Sequence, residues 1–256
     1  MVKGEAMKNI VLFIGPAGSG KTTLTASLGR WLWSKMLTPT AYINLDPGAE
    51  FLPYEPDIDI RQYVTTEKVM REYGLGPNGA LIKSIEIACS YLREIAERTS
   101  KLPAPYILVD TPGQMELFLF REFGPRFIRE FKQLGYIIGV VILDPTLTRK
   151  AQDVTSLKLL SLIASLRLGV DVIPVINKAD LVEGDLRLFK DNEYLRLKVK
   201  ETGEGIIGEI SERILELLDD YKLATRIPLL SATTGVGLEE LYDMLHEIFC
   251  ACGDLT

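Results

Sequence analysis

The chain has 256 residues with 29 Lys and Arg against 35 Asp and Glu, a formal charge of -6, and is 47% hydrophobic and 25% charged. That is the balance of a soluble globular chain long enough to bury a core without disulfide or metal staples, and its acidity argues against a general nucleic-acid binder, so no direct nucleic-acid partner is expected. Three cysteines, Cys89, Cys250 and Cys252, and a single histidine offer neither a disulfide framework nor zinc-ligand spacing, so a metal here would be held by oxygen.

Short apolar runs rich in Ile and Val recur at Asn9 to Ile14, Thr40 to Leu45, Tyr106 to Asp110, Tyr136 to Leu143, Val172 to Asn177 and Ile227 to Leu230, giving six candidate strands. Their hydrophobicity is continuous rather than alternating, which predicts burial on both faces of a mostly parallel sheet. After the first strand, Leu24, Leu28, Trp31 and Leu32 share one amphipathic helical face. Further helices are predicted over 80–98, 116–133, 150–167, 205–220 and 238–249. Alternation of strand and helix predicts a doubly wound α/β fold, a single domain over 1–256, with the Pro-rich stretch 47–104 as an insertion. The longest apolar run, around Gly135 to Leu143, falls far short of a membrane span, and Ile10 to Ile14 is too short for a signal-peptide core. A cytoplasmic protein with no membrane partner is expected.

The first strand runs into Gly15-Pro16-Ala17-Gly18-Ser19-Gly20-Lys21-Thr22, a full GxxxxGK[ST] string, and a helix follows at once. The glycines allow backbone N–H groups from Gly18 through Thr22, with Ser19, Gly20 and neighbouring Thr23, to curl around phosphate oxygens. Lys21 supplies a point charge between the β and γ phosphates, Thr22 a hydroxyl for Mg2+, and the helix N-terminus a favourable dipole.

The strand ending at Asp110 leads into Thr111-Pro112-Gly113-Gln114, which resembles a DxxG switch. Asp110 is placed to reach Mg2+ and the Gly113 N–H to meet a γ-phosphate; Pro112, lacking an N–H, cannot substitute for it. Gln114 and Glu116 both follow closely enough to orient an attacking water, and the sequence leaves the choice between them open. Beyond the next strand stands Asn177-Lys178-Ala179-Asp180, an NKxD string. The Asp180 carboxylate can accept from N1–H and the 2-amino group of guanine, whereas adenine presents an acceptor at N1 and no 2-amino group. Asn177 would brace the loops and the Lys178 stem would cover the base. Ser231-Ala232-Thr233 resembles a SAK element whose backbone N–H, at Ala232, faces guanine O6.

These motifs, together with Asn44-Leu45-Asp46-Pro47, the segment Pro53 through Arg61 and Gly76-Pro77-Asn78, stand in the order found in GPN-loop GTPases, and the chain resembles that family over essentially its whole length. The resemblance implies a P-loop NTPase fold of the SIMIBI class, a Mg2+-dependent enzyme that binds and hydrolyses GTP to GDP, and a homodimer in which Asn78 acts in trans. It also implies that Asp46 is a switch acid associated with Mg2+ and the attacking water, and that the protein partner is a complex under assembly such as RNA polymerase. From the residues alone, Gly76 to Gly79 is a turn signal and Arg61 has no derivable role. Two rivals stay open: a P-loop kinase acting on a small acceptor, and an assembly scaffold that uses nucleotide only to set its shape.

Overall fold

A computed structural model describes residues 7–147, 150–181, 185, 187–203, 205–220 and 227–253. Its strands are β1 (Lys8–Ile14), β2 (Thr40–Asn44), β3 (Ile58–Asp59), β4 (Tyr106–Asp110), β5 (Gly135–Leu143) and β6 (Asp171–Ile176), in one parallel sheet of order β3-β2-β4-β1-β5-β6. The helices are α1 (Lys21–Met36), α2 (Thr66–Tyr73), α3 (Pro77–Ser90), α4 (Leu92–Ser100), α5 (Met115–Leu119), α6 (Phe123–Phe131), α7 (Ala151–Leu168), α8 (Arg187–Lys190), α9 (Asn192–Thr202), α10 (Gly205–Asp220) and α11 (Leu238–Gly253).

The five longer strands feed two cores, as continuous apolar runs require. On one face Ile10, Leu12 and Ile14 of β1 join Ile43, Ile107 and Val109 under the insertion helices and α5 to α7. On the other, Val11 and Phe13 join Leu108, Val140 and Val175 under Leu24, Leu28 and Leu32 of α1 and Leu241 and Leu245 of α11. Trp31 lies at the margin of this second core, its ring 5.2 Å from that of Tyr242.

Several expected elements differ in extent. Ile227 to Leu230 contributes only an isolated bridge, Leu229 to Ile176, because Pro228 has no N–H with which to extend a ladder. The sixth strand is instead β3, inside the insertion. The helix expected over 116–133 is broken into α5 and α6: Pro125 cannot donate in a continuous helix and falls in the first turn of α6, where no donor is needed. That expected over 80–98 divides at Tyr91, whose ring packs 4.5 Å from Tyr63. Gly76 to Gly79 opens α3, with Gly76 at the N-cap and Pro77 in the first turn. Helix α2, unannounced by the strand-and-helix alternation, starts where Thr65 accepts from the Lys68 N–H and ends at Gly74, φ 63°.

The sheet register places the chemistry. Asp110 at the carboxyl end of β4 lies beside Phe13 of β1 and Asn44 of β2, and Asn44 lies beside Asp59 of β3. The loops after β1, β2 and β4 therefore converge at one edge, where ligands bind in such sheets.

Candidate functional site

The Gly15–Gly20 segment joins β1 to α1. Gly18 and Gly20 hold φ of 78° and 91°, a region that strains L side chains. A Cβ at Gly20 would also lie 2.4 Å from Asn177 Nδ2, and one at Gly15 would lie 2.8 Å from the Ile142 carbonyl oxygen. Lys21 is only 5% exposed. Its Nζ donates to the carbonyls of Gly15 at 2.9 Å, Pro16 at 3.1 Å and Gly113 at 3.2 Å. Burial lowers the Lys21 pKa, opposed by the charges of Asp110, Asp46 and Glu116. The fold thus gathers around one cation three carboxylates from two loops. Ser19 Oγ is buried without a hydrogen-bond partner, and Thr22 and Thr23 sit half-buried in the first turn of α1.

Asp110, 1% exposed, accepts at Oδ2 from the Tyr54 hydroxyl at 3.1 Å, while Oδ1 is buried without a hydrogen-bond partner. Burial pushes its pKa up to about 6, against the pull of the Thr22 and Tyr54 hydroxyls and of Lys21. Neighbouring Thr111 is fixed by its hydroxyl donating to the Phe13 carbonyl at 2.6 Å. The Gly113 N–H donates to Asp46 Oδ2 at 2.9 Å, and Asp46 Oδ1 accepts from the Gly48 N–H at 2.8 Å. Burial raises the Asp46 pKa, although these two N–H groups, Lys21 and Arg61 work the other way. Gln114, half-buried, precedes α5, and Glu116 is exposed in its first turn, with buried Met115 between them.

At the other end of the site Asn177, 1% exposed, bridges two loops: Nδ2 donates to the Ser19 carbonyl at 2.9 Å and Oδ1 accepts from the Ala232 N–H at 3.0 Å. The bracing expected of Asn177 is therefore present as geometry. The open donor expected at Ala232 is not: that N–H is spent on Asn177, while the Ala232 carbonyl accepts from Ser27 Oγ at 2.5 Å. Lys178 takes a left-handed φ of 58°, and its Nζ donates to Asp144 Oδ2 at 2.6 Å. Asp180 is exposed on the short turn Ala179–Leu181. Asn78 is exposed in the first turn of α3.

Three residues of this site carry no sequence motif of their own. Asp144, just after β5, also accepts from the Thr146 N–H and hydroxyl, at 2.9 and 2.6 Å. Burial alone would raise its pKa, but the bonds from Lys178 and Thr146 prevail and hold it below the usual carboxylate value. Tyr54 falls within the family-matched segment but offers no spacing that marks it. Arg61 proves to be a structural tie. It forks onto Asp59, with Nε 2.9 Å and a terminal nitrogen 2.6 Å from Oδ2, and donates to the Ala49 carbonyl at 2.9 Å. Its planar fork suits a two-point carboxylate contact. Asp59 in turn accepts from Asn44 Nδ2 at 2.9 Å, so the segment between β2 and β3 is tied to the sheet from inside.

Residues 13–251 match a family described as "Conserved hypothetical ATP binding protein". The chain is 41% identical to GPN-loop GTPase PAB0955 of Pyrococcus abyssi over 256 aligned positions, covering 96% of this chain and all of that one. The crystal structure of PAB0955, described as a GTPase in apo form, superposes with a TM-score of 0.85. GPN-loop GTPase 3 of Kluyveromyces lactis is 32% identical over 86% of this chain and 84% of its own. Among the described residues no helix is long and apolar enough to cross a membrane.

Proposed function

The chain belongs to the GPN-loop GTPase family, and from that premise we propose that it is a Mg2+-dependent GTP hydrolase whose loops respond to the γ-phosphate. The observation that carries the reading is the contact between Asp46 and Gly113. The N–H expected to hold a γ-phosphate oxygen already holds an anionic oxygen, Asp46 Oδ2, at 2.9 Å, next to the buried Lys21 ammonium. A γ-phosphate and the Asp46 carboxylate compete for one donor. Its arrival moves Asp46, and with it the segment between β2 and β3; its loss on hydrolysis restores the carboxylate contact.

The family description and the relatives' names differ on the base, ATP in one and GTP in the other. Asp180 favours guanine in this reading, since its carboxylate complements two donors that adenine lacks. Asn177 holds the phosphate loop and the Ser231–Thr233 loop at a fixed spacing around the base site.

The donor set fits Mg2+. Asp110 Oδ1 is buried and has no hydrogen-bond partner, and the Thr22 hydroxyl and Asp46 carboxylate, both close enough to act on Asp110, would add hard oxygen ligands. One or two carboxylates plus substrate phosphates is the usual arrangement for this ion. When bound, Mg2+ supplies positive charge against the β and γ phosphate oxygens. Lys21 adds charge from the loop side, the N–H groups from Gly18 to Thr23 orient the phosphates, and Gln114, Glu116 or Asp46 positions the attacking water.

Association of two copies, with Asn78 reaching the partner's nucleotide, and action in the cytoplasm on a complex under assembly such as RNA polymerase, belong to the same proposal. Exposure of Asn78 leaves it available for a contact outside its own chain. A monomer by light scattering with and without GTP removes that part. The central test is calorimetry of GTP and ATP with and without Mg2+. GTP is expected to bind on the order of a hundredfold more tightly, with Mg2+ strengthening the complex. Equal affinities for the two nucleotides overturn the base assignment.

A further inference from the structure

Tyr54 lies outside the phosphate and base motifs, yet it touches the most buried acid of the site. Its hydroxyl donates to Asp110 Oδ2 at 3.1 Å. Its ring stacks on that of Tyr42, with centroids 4.9 Å apart and planes 20° from parallel. Tyr42 is itself held on three sides. The Tyr42 N–H donates to Asp57 Oδ2 at 2.8 Å, its carbonyl accepts from the Asp57 N–H at 2.9 Å, and its ring lies so close to α1 that a Cβ at Gly29 would come within 2.0 Å of the phenol oxygen. A line of packed groups thus runs from Gly29 through Tyr42 and Tyr54 to the Asp110 carboxylate.

The terminal torsion of a carboxylate is soft and roughly two-fold, so a buried Asp needs a fixed donor to select which oxygen faces which way. Here Oδ2 has such a donor at 3.1 Å, while Oδ1 has no hydrogen-bond partner and the nearby Thr22 hydroxyl acts on the carboxylate without fixing it. We infer that Tyr54 is a positioning residue whose hydroxyl holds Asp110 Oδ2 and so presents Oδ1 toward the Mg2+ side of the site. Because Tyr54 and Asp46 lie on one segment between β2 and β3, movement of Asp46 on γ-phosphate binding also alters the support of Asp110. The switch segment therefore adjusts metal affinity as well as phosphate sensing. This inference rests on the proposed nucleotide-site reading.

Tyr54→Phe tests it, since the ring and its stack on Tyr42 are kept and only the donor is lost. Mg2+ is titrated calorimetrically into the GDP complex of the full chain, and GDP affinity is measured separately in chelator. Outer partners of metal ligands typically change metal affinity by 10- to 100-fold, so the Mg2+ half-saturation of the variant is expected to rise by about tenfold while Mg2+-free GDP affinity stays within about twofold. Excess Mg2+ should restore hydrolysis to the variant. Tyr54→Ala, which also removes the stack, should weaken Mg2+ binding at least as much and in addition increase hydrogen exchange across 45–57. Unchanged Mg2+ half-saturation in Tyr54→Phe overturns the positioning role, and so does a parallel loss of Mg2+-free GDP affinity, which would mark a general disturbance. A wild-type chain that binds GDP without any response to Mg2+ overturns the metal reading beneath it, and that result appears before any variant is made.

Discussion

Replacing Asn177 with Ala removes one amide that serves two loops. In the fold Nδ2 donates to the Ser19 carbonyl at 2.9 Å, Oδ1 accepts from the Ala232 N–H at 3.0 Å, and the residue is 1% exposed. Alanine leaves one buried acceptor and one buried donor unpaired, and each orphan costs about 1–3 kcal/mol, a range of about 2–6 kcal/mol for the pair. The space left is polar and suits a water that recovers part of this, so a loss of about 2–3 kcal/mol is expected. Asn177→Asp separates the two halves: its carboxylate still accepts from Ala232 but sets a negative oxygen against the Ser19 carbonyl, so the phosphate-loop tie alone is lost. Urea unfolding of the nucleotide-free chain reads the stability change, and calorimetry with GTP reads the consequence for binding. If Asn177→Ala unfolds at the wild-type urea midpoint while losing GTP affinity, the residue is a ligand contact and the bracing role is refuted.

Asp180→Asn offers guanine one acceptor and one donor where the carboxylate offered two acceptors; GTP affinity should fall on the order of a hundredfold, and xanthosine triphosphate, whose 2-oxo group accepts, should gain in relative affinity. Competition calorimetry measures both, and an unchanged preference for guanine would place the base elsewhere. Asp144 has its folded pKa held low, net of burial, by Lys178 and Thr146, so its ion pair stabilises the fold above the ordinary carboxylate pKa and that contribution is lost as pH falls through the folded value. The stability gap between wild type and Asp144→Asn should therefore be flat at neutral pH and close below about pH 4, as urea midpoints across a pH series would show. A gap that widened on acidification would contradict the assignment.

The legible parts of the chain were those where chemistry and local geometry coincide. Continuous Ile and Val runs identified β1, β2, β4, β5 and β6 because burial on both faces leaves no room for polar alternation. The glycines of the phosphate loop were legible for the same reason: Gly18 and Gly20 need positive φ, and Gly15 faces a carbonyl with no space for a Cβ. What stayed hidden depends on tertiary partners. Strand β3 has two residues and becomes a strand only by lying against Ile43 and Asn44. Tyr54 and Asp144 belong to the site because other segments bring Asp110 and Lys178 to them, and no spacing along the chain encodes those meetings, while Arg61 forks onto Asp59 two positions away and reaches the Ala49 carbonyl. The Ala232 N–H was assigned to the base from its motif alone; the competing acceptor, Asn177 Oδ1, lies 55 positions away in sequence.

Segment 45–57 connects two strands that lie side by side and run the same way, yet it contains no helix. Parallel neighbours are ordinarily joined by a helical crossover that packs on the sheet and cannot travel. Here the connection is moored at one end by Leu45 to the Asp110 carbonyl and at the other by Asp57 to Tyr42. Between these moorings the Ala49 carbonyl is held by Arg61 and Asp110 holds the Tyr54 hydroxyl, so it is the crest about Phe51 to Pro53 that can bow outward like the handle of a bucket, and neither hinge can walk along the sheet. Phe51, 79% exposed, sits near the crest. Added length at the crest would deepen the bow at little entropic cost, since closure entropy grows only slowly with loop length, whereas one extra residue beside Asp57 would shift the fastening itself.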